Sequence, residues 1–465
     1  MLGRRRAPAW LALAVAVGAI LVGSVLPAGA VGSTWPAYLF SPTHRSRSGS
    51  TAISPANVGT LSRAWAFSVP VIAGRPATTL FASPIVSGGR VFIGSNSGVF
   101  YALRQSTGGV LWSREFGFVT QTTCNSSAGI RSTVTVAPDP ATGASTVYLV
   151  TGDAHLVALD AATGATRWDT VIETPSTTEN DYYIWASPTV ANGHVYIGIS
   201  SQCDHPLVRG GLKMFDQSTG ALENTWFSVP EGQIGGSIWS SAAADARSVF
   251  VTTGNSESGV DDDSNSIVRL SASTLERLGG WQVPIPDQVV DSDFGGSPTI
   301  FYRGGSQYVG ACNKNGTYYL LDASSMNVVW QRKLSPGSPA GTKACLAAAA
   351  WDGSHLFVAA PYATIEGTTY NGSIRMLDPV DGSSVWEAGL PGIVIGSPSI
   401  NAAGVLAVPM YDKFGGSNGV VLVDASNGTI LRTLPSTAVF AQPAFAGKYL
   451  FVAQDSGKLT AYRVP

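Results

Sequence analysis

The sequence predicts an all-β fold, an eight-bladed β-propeller of four-stranded antiparallel blades, and three observations support it. A unit of strands and tight turns recurs along the chain. The composition is turn-rich and weakly charged: 53 Gly and 27 Pro among 465 residues, with 12% charged side chains. Beyond the first thirty positions no long apolar period of 3.6 residues appears, so long amphipathic helices are not expected.

Each unit has the same order. An apolar strand leads to a Gly or Asn-Gly turn, and an alternating strand then ends in Leu-Asp or its equivalent. A Thr-Gly or Asn-Gly turn follows, and the last strand ends in Trp. VFIGSNSGVFYALRQSTGGVLW (91–112), VYLVTGDAHLVALDAATGATRW (147–168) and YVGACNKNGTYYLLDASSMNVVW (308–330) are three of the copies. Asn-Gly and Asp-Gly supply the positive φ that tight hairpins require. Ser-Pro pairs beginning at Ser83, Ser187, Ser297 and Ser397 precede units and predict the innermost strand of the next blade. The last copy closes the chain at Val464 without a Trp strand, and Asn57–Trp65 has the missing pattern. The N- and C-terminal strands are therefore expected to pair and close the ring, which removes exposed sheet edges. Trp112, Trp168, Trp226, Trp330 and Trp386 are expected to pack between blades. Trp239, in GGSIWSSAAADARSVFVTTGN (235–255), stands outside this order. It lies in the preface strand nearest the axis, where propellers bind ligands.

The chain begins with a targeting pattern. Arg4, Arg5 and Arg6 precede the apolar run Trp10–Val25, and Ala28-Gly29-Ala30 suits cleavage. Residues 1–30 are expected to be a signal peptide and 31–465 the propeller, secreted or otherwise extracytoplasmic; an uncleaved anchor is the alternative. No integral membrane segment is expected after cleavage. A net charge of -2 gives no electrostatic basis for binding nucleic acid. Cys124, Cys203, Cys312 and Cys345 suit two disulfides in an oxidising compartment. Three connectivities exist, of which Cys124–Cys203 with Cys312–Cys345 is favoured. No CxxCH motif occurs, so no covalent haem is expected, and the five His form no metal-binding spacing.

The Leu-Asp…Thr-Gly…Trp unit resembles the repeat of the pyrroloquinoline quinone (PQQ) dehydrogenases, an eight-bladed propeller family. The likeness covers nearly the whole of 31–465. In that family a Trp lies flat beneath the cofactor, six residues before an Asp, and Gly-Asn closes the following strand. Trp239, Asp245 and Gly254-Asn255 repeat that arrangement. The resemblance assigns Trp239 as the cofactor floor, Ser237 as a hydroxyl contact and Asn255 as a metal ligand. Asp293, in Asp291-Ser292-Asp293-Phe294-Gly295, matches the catalytic carboxylate and a metal ligand. Asp291 matches the extra carboxylate of the lanthanide-using branch. Lys314, in Asn313-Lys314-Asn315-Gly316, matches the basic residue at the quinone oxygen, and Arg131 a partner of the cofactor carboxylates. PQQ is a flat tricarboxylate, so an aromatic floor, cationic partners and a metal ion, calcium or a lanthanide, are what it requires. The polyvinyl-alcohol dehydrogenase branch looks closest.

Two departures stand out. The family's metal-ligating Glu falls on His205, with Asp204 beside it; a hard cation favours oxygen, which makes Asp204 the substitute ligand. The vicinal Cys pair of many family members is absent, with only Cys124 nearby. The resemblance implies oxidation of an alcohol, small or polymeric, by hydride transfer to PQQ, with a separate electron acceptor. A non-catalytic extracellular binding or scaffold propeller is the alternative.

Overall fold

Tight turns and β-branched runs place strands where the repeat demands them. The computed structural model describes residues 32–121, 126–175, 181–204, 206–257, 262–337, 343–413 and 415–465; the expected signal peptide, Cys124 and His205 lie outside these. Eight antiparallel sheets of four strands are present, one of them extended by a fifth strand. Blade 1, for example, runs through Ile85–Ser87, Arg90–Gly94, Val99–Arg104 and Val110–Glu115. Burial rises toward the middle of each sheet: the second and third strands, such as Val405–Met410 and Gly419–Asp424, are buried on nearly every residue, whereas the outer strands alternate or face solvent. Both faces of the middle strands are covered by neighbouring blades, which explains their near-continuous Val, Ile and Leu.

The ring closes as expected. Ser62–Ser68 is the outer strand of blade 8, paired antiparallel with Lys458–Arg463, so residues near the two ends of the chain share one sheet. Between blades the outer-strand Trp lies flat on a turn Gly of the next blade. A Cβ added at Gly108 would meet Trp65 at 2.5 Å, one at Gly164 would meet Trp112 at 2.6 Å, and one at Gly382 would meet Trp330 at 2.6 Å. These glycines are also left-handed (φ 74, 74 and 71), so both their conformation and the ring above exclude a side chain. The indole N–H groups cross the same joint: Trp65 donates to Gln105 O at 2.9 Å and Trp386 to Ala425 O at 3.0 Å. Trp226 departs from the pattern, packing in a cluster that contains Leu275, which stands left-handed (φ 55) where other blades have Gly.

Cys312–Cys345 is a disulfide joining the second strand of blade 5 to the segment that enters blade 6. Cys203 is also disulfide-bonded. No helix among the described residues is long and apolar enough to cross a membrane.

One part of the fold has no counterpart in the repeat. Residues 35–50 run beneath the innermost strands at the ends away from Ser83, Ser187, Ser297 and Ser397. Trp35 pairs with Val86, and Val136 N–H donates to Pro36 O. Ala244, Ile300, Trp351 and Ile400 donate to the carbonyls of Pro42, Thr43, Arg45 and Ser46. Arg47–Ser48 adds in parallel to Ser399–Asn401 as the fifth strand of blade 7. The segment turns sharply to do this: Leu39, Phe40, His44 and Ser46 all have positive φ.

Candidate functional site at the axial mouth

Two sets of loops converge on the axis: those entering each first strand and those joining second to third strands. Together they enclose a cavity of about 440 Å³. Its wall contains Arg131, Asp204, Ser237, Trp239, Asp291, Asp293 and Lys314, so seven residues singled out in the sequence meet in one place. The Ser-Pro prefaces supply the wall rather than the strands themselves, which begin after the proline. Their hydroxyls link neighbouring blades: Ser83 N–H donates to Thr133 Oγ1 (2.8 Å), Thr133 N–H to Ser187 Oγ (2.9 Å), Ser187 N–H to Ser241 Oγ (2.9 Å) and Ser241 N–H to Ser297 Oγ (2.9 Å). Ala348 N–H donates to Ser397 Oγ (3.0 Å) and Gln442 N–H to Ser83 Oγ (2.9 Å). Small hydroxyl residues at these positions thus hold the rim and keep the axis open.

The charged centre is built around Asp293. Its Oδ1 accepts the Asn255 backbone N–H at 2.7 Å; its Oδ2 accepts Lys314 Nζ at 2.7 Å and Trp239 Nε1 at 3.2 Å. A carboxylate has about four acceptor positions. Three are filled here, which leaves one for an incoming hydroxyl. Lys314 also donates to Asp291 Oδ1 at 2.7 Å and lies 5.4 Å from the centroid of the Trp239 ring. Burial works against the ammonium, but the charges of Asp293 and Asp291 outweigh it and raise the Lys314 pKa. Asp291 is pushed up to about 6, first by burial and then by the Asp293 charge. Gly295 lets the Trp239 indole lie close against the backbone, since a Cβ there would strike both Trp239 and Leu346.

Asp204 joins the same group. Ligand oxygens of Asp204, Asp291 and Asp293 lie within 4.8 Å of one another. Three carboxylates at that spacing suit a hard cation. Asp204 and Asp291 are both left-handed (φ 61 and 58), a conformation that costs energy outside Gly and is held here by the site. Asp204 is braced by Ser201, whose Oγ bonds both its carboxylate and its N–H at 3.0 Å. Asn255 reaches the centre through its backbone, whereas its side chain was expected to serve as a ligand.

Across the cavity, Arg131 is boxed by aromatic rings: its guanidinium carbon lies 4.9 Å from the centroid of Trp185, 5.3 Å from Phe81 and 5.6 Å from Tyr183. Its Nε donates to Asn96 Oδ1 at 2.6 Å. Burial lowers the Arg131 pKa, a cost that an anionic ligand beside it would offset. Ser237 Oγ is buried with no hydrogen-bond partner. An orphaned hydroxyl costs free energy unless something fills the cavity. The cavity thus offers a flat aromatic floor, an unused hydroxyl, one cation on either side and three converging carboxylates. That donor set fits a flat polyanion with a metal ion.

Sequence reasoning missed Asn96, Trp185 and Tyr38. Asn96 could have been found by aligning the repeats, since it occupies the turn position in blade 1 that Lys314 occupies in blade 5. Asp245 does not join the site. It caps a turn at the opposite end of blade 4, accepting from Arg247 N–H and Ser248 N–H (2.8 Å each) and from Tyr302 Oη (2.9 Å). After Asn255, Asp263 pairs with Arg277 at 2.7 Å and Asp262 accepts from Ser264 N–H at 2.9 Å, so these two carboxylates serve local structure.

Fold and site together define a propeller with a polar, metal-suited axial cavity. The chain belongs to the PQQ family described as glucose/ethanol/alcohol dehydrogenase, β-propeller domain, which it matches over residues 35–331. Residues 314–464 also match the family of an outer membrane protein assembly factor. Among curated relatives, a polyvinylalcohol dehydrogenase of a Pseudomonas species is 29% identical over 336 residues, covering 62% of this chain and 49% of the relative. A second, from a Sphingopyxis strain, is 26% identical with the same coverage. The chain therefore spans about half the length of these relatives. A quinohemoprotein alcohol dehydrogenase of Pseudomonas putida superposes with TM-score 0.74 at 19% identity, covering 93% of this chain and 80% of that one. A europium-containing methanol dehydrogenase superposes with TM-score 0.74 at 16% identity, covering 93% and 98%. At these identities the superpositions establish the fold.

Proposed function

We propose that this protein is a quinoprotein dehydrogenase that oxidises an alcohol with PQQ and a metal ion at the propeller mouth. The observation that carries the proposal is the meeting of Trp239, Asp293, Lys314 and Asp204 in one cavity from four separate loops. Family membership and the polyvinylalcohol dehydrogenase relatives point the same way. When bound, PQQ supplies the electron sink and the cation a Lewis acid. The chain supplies the rest. Trp239 carries the flat face, and Arg131, Ser237 and Lys314 hold oxygens at its edge. Asp204 and Asp291 hold the cation beside Asp293, whose carboxylate Asn255 orients through its N–H. The free acceptor position of Asp293 takes the proton of the substrate hydroxyl as the adjacent carbon gives up hydride. Lys314 stabilises negative charge that develops on a neighbouring oxygen. Electrons leave to a separate acceptor. The N-terminal targeting pattern and the Cys312–Cys345 disulfide favour an oxidising, extracytoplasmic location.

The competing reading is a binding or scaffold propeller, favoured by the assembly-factor match over 314–464. Titration of the purified protein with PQQ, with and without calcium or lanthanum, separates the two. Saturable, cation-dependent quenching of tryptophan fluorescence, lost in Trp239→Ala and Asp293→Asn, is expected. No binding with either cation would leave the scaffold reading.

A further inference from the structure

The ladder of hydroxyls around the mouth is interrupted at blade 8, where Gln442 stands, and at blade 6, where Ala348 stands in place of Ser or Thr. The gap at blade 6 lies between Ser297 and Ser397, and Tyr38 fills it. Tyr38 comes from the segment beneath the blades and lines the cavity together with Ser297 and Ser397. Each serine already accepts one backbone N–H, from Ala348 and Ser241 respectively. A phenol carries one proton, and because Tyr38 lines the cavity that proton can be donated into it. Burial raises the Tyr38 pKa, so the group stays a neutral donor throughout the ordinary pH range.

We propose that Tyr38 is the closing floor of the cavity and a hydrogen-bond donor to an oxygen of the bound cofactor. The donor half rests on the PQQ reading; the floor half does not. The segment is well placed to act as a plug, because its backbone is tied to the innermost strands of blades 1, 2, 4, 5, 6 and 7. Its neighbour His44 is anchored too, with Nδ1 2.9 Å from Pro298 O. The cavity then has one entrance, the mouth, and substrate and product share it.

The experiment uses the full protein carrying Tyr38→Phe or Tyr38→Ala. PQQ affinity is measured by titration, and solvent access by acrylamide quenching of the Trp239 emission, taken as the difference between each protein and its Trp239→Phe counterpart. Tyr38→Phe keeps the ring and removes the donor. It is expected to weaken PQQ binding about tenfold, as loss of one hydrogen bond to a charged group would, with quenching and melting temperature unchanged. Tyr38→Ala is expected to open the floor and raise quenching of Trp239 in the cofactor-free protein. Equal affinity in Tyr38→Phe overturns the donor role, and unchanged quenching in Tyr38→Ala overturns the floor. If the unsubstituted protein binds no PQQ, the cofactor reading and the donor role fall together, while the quenching result still decides the floor.

Discussion

The rim of the ring and its axis are built on opposite principles. At the rim one joint is repeated: a Trp of one blade lies on a left-handed Gly of the next, as Trp330 does on Gly382 and Trp386 on Gly428. At the axis the loops entering the blades repeat Ser or Thr at most positions, whereas the loops between second and third strands differ from blade to blade. Blade 5 contributes Lys314 where blade 1 contributes Asn96, and blade 6 contributes Ala348 where its neighbours contribute hydroxyls. The joint tolerates little variation because it fixes the angle between blades. The axis is free to vary because its side chains face an open cavity instead of a neighbouring blade. The rim pattern lapses at Leu275 and Met326 in blades 4 and 5, which bear Trp239, Asn255 and Lys314, and also in blade 7, whose outer strand Ile430–Pro435 has no Trp.

This contrast can be broken experimentally. Trp330→Ala removes a buried indole from a regular joint and is expected to cost about 4 kcal/mol in urea denaturation. An effect below about 1 kcal/mol would mean that the joints are not what holds the ring.

The axis has its own dependence on pH. Burial lowers the His44 pKa from 6.5 to about 4. The unfolded chain therefore binds a proton that the folded one refuses, so stability is full above about pH 6.5 and falls as pH drops toward 4. The loss attributable to this residue is about 3 kcal/mol. His44→Gln should flatten that part of the stability curve.

Lys314→Met leaves Asp291 and Asp293 partly buried without their counter-ion. It is expected to lower stability by about 2 kcal/mol at pH 7. Much of this should return as pH falls, because Asp291 takes up a proton more readily once the Lys314 charge is gone, or on adding lanthanum. Failure of both to restore stability would separate the lysine from the carboxylate cluster.

The smallest effect is expected for Trp226→Ala. This indole is half-buried and meets Leu275 instead of a Gly, so about 2 kcal/mol is lost, less than at Trp330. Equal losses at the two positions would erase the distinction between regular and lapsed joints.

Most of the ring was legible in the sequence because a repeat multiplies its own signal. The turn glycines, terminal tryptophans and Ser-Pro prefaces mark blade boundaries, and the missing Trp of the last unit pointed to the strand that closes the ring. The core of the site was legible through motif order: Trp239, Asp291, Asp293 and Lys314 do converge. Two kinds of feature escaped. Asp245 keeps its motif spacing but belongs to the far end of the blade, since spacing along a chain does not say which end of a strand a residue occupies. The segment at 35–50 escaped because its path depends on left-handed turns at Leu39, Phe40, His44 and Ser46, of which Leu39 and Phe40 are residue types that give no local turn signal. Tyr38 acquires its role only from partners some 260 and 360 positions further along the chain.

The seam between Ser62–Ser68 and Lys458–Arg463 also governs the order in which the molecule is made. The outer strand of blade 8 is synthesised long before its pairing partner, about 390 positions further along the chain, and must wait, unpaired, until that partner has emerged. Non-local pairing of this kind slows folding and leaves an edge open to the wrong neighbours. Ring closure is thus a final, all-or-none event. Deleting Lys458–Arg463 would remove the strand that Ser62–Ser68 has been waiting for.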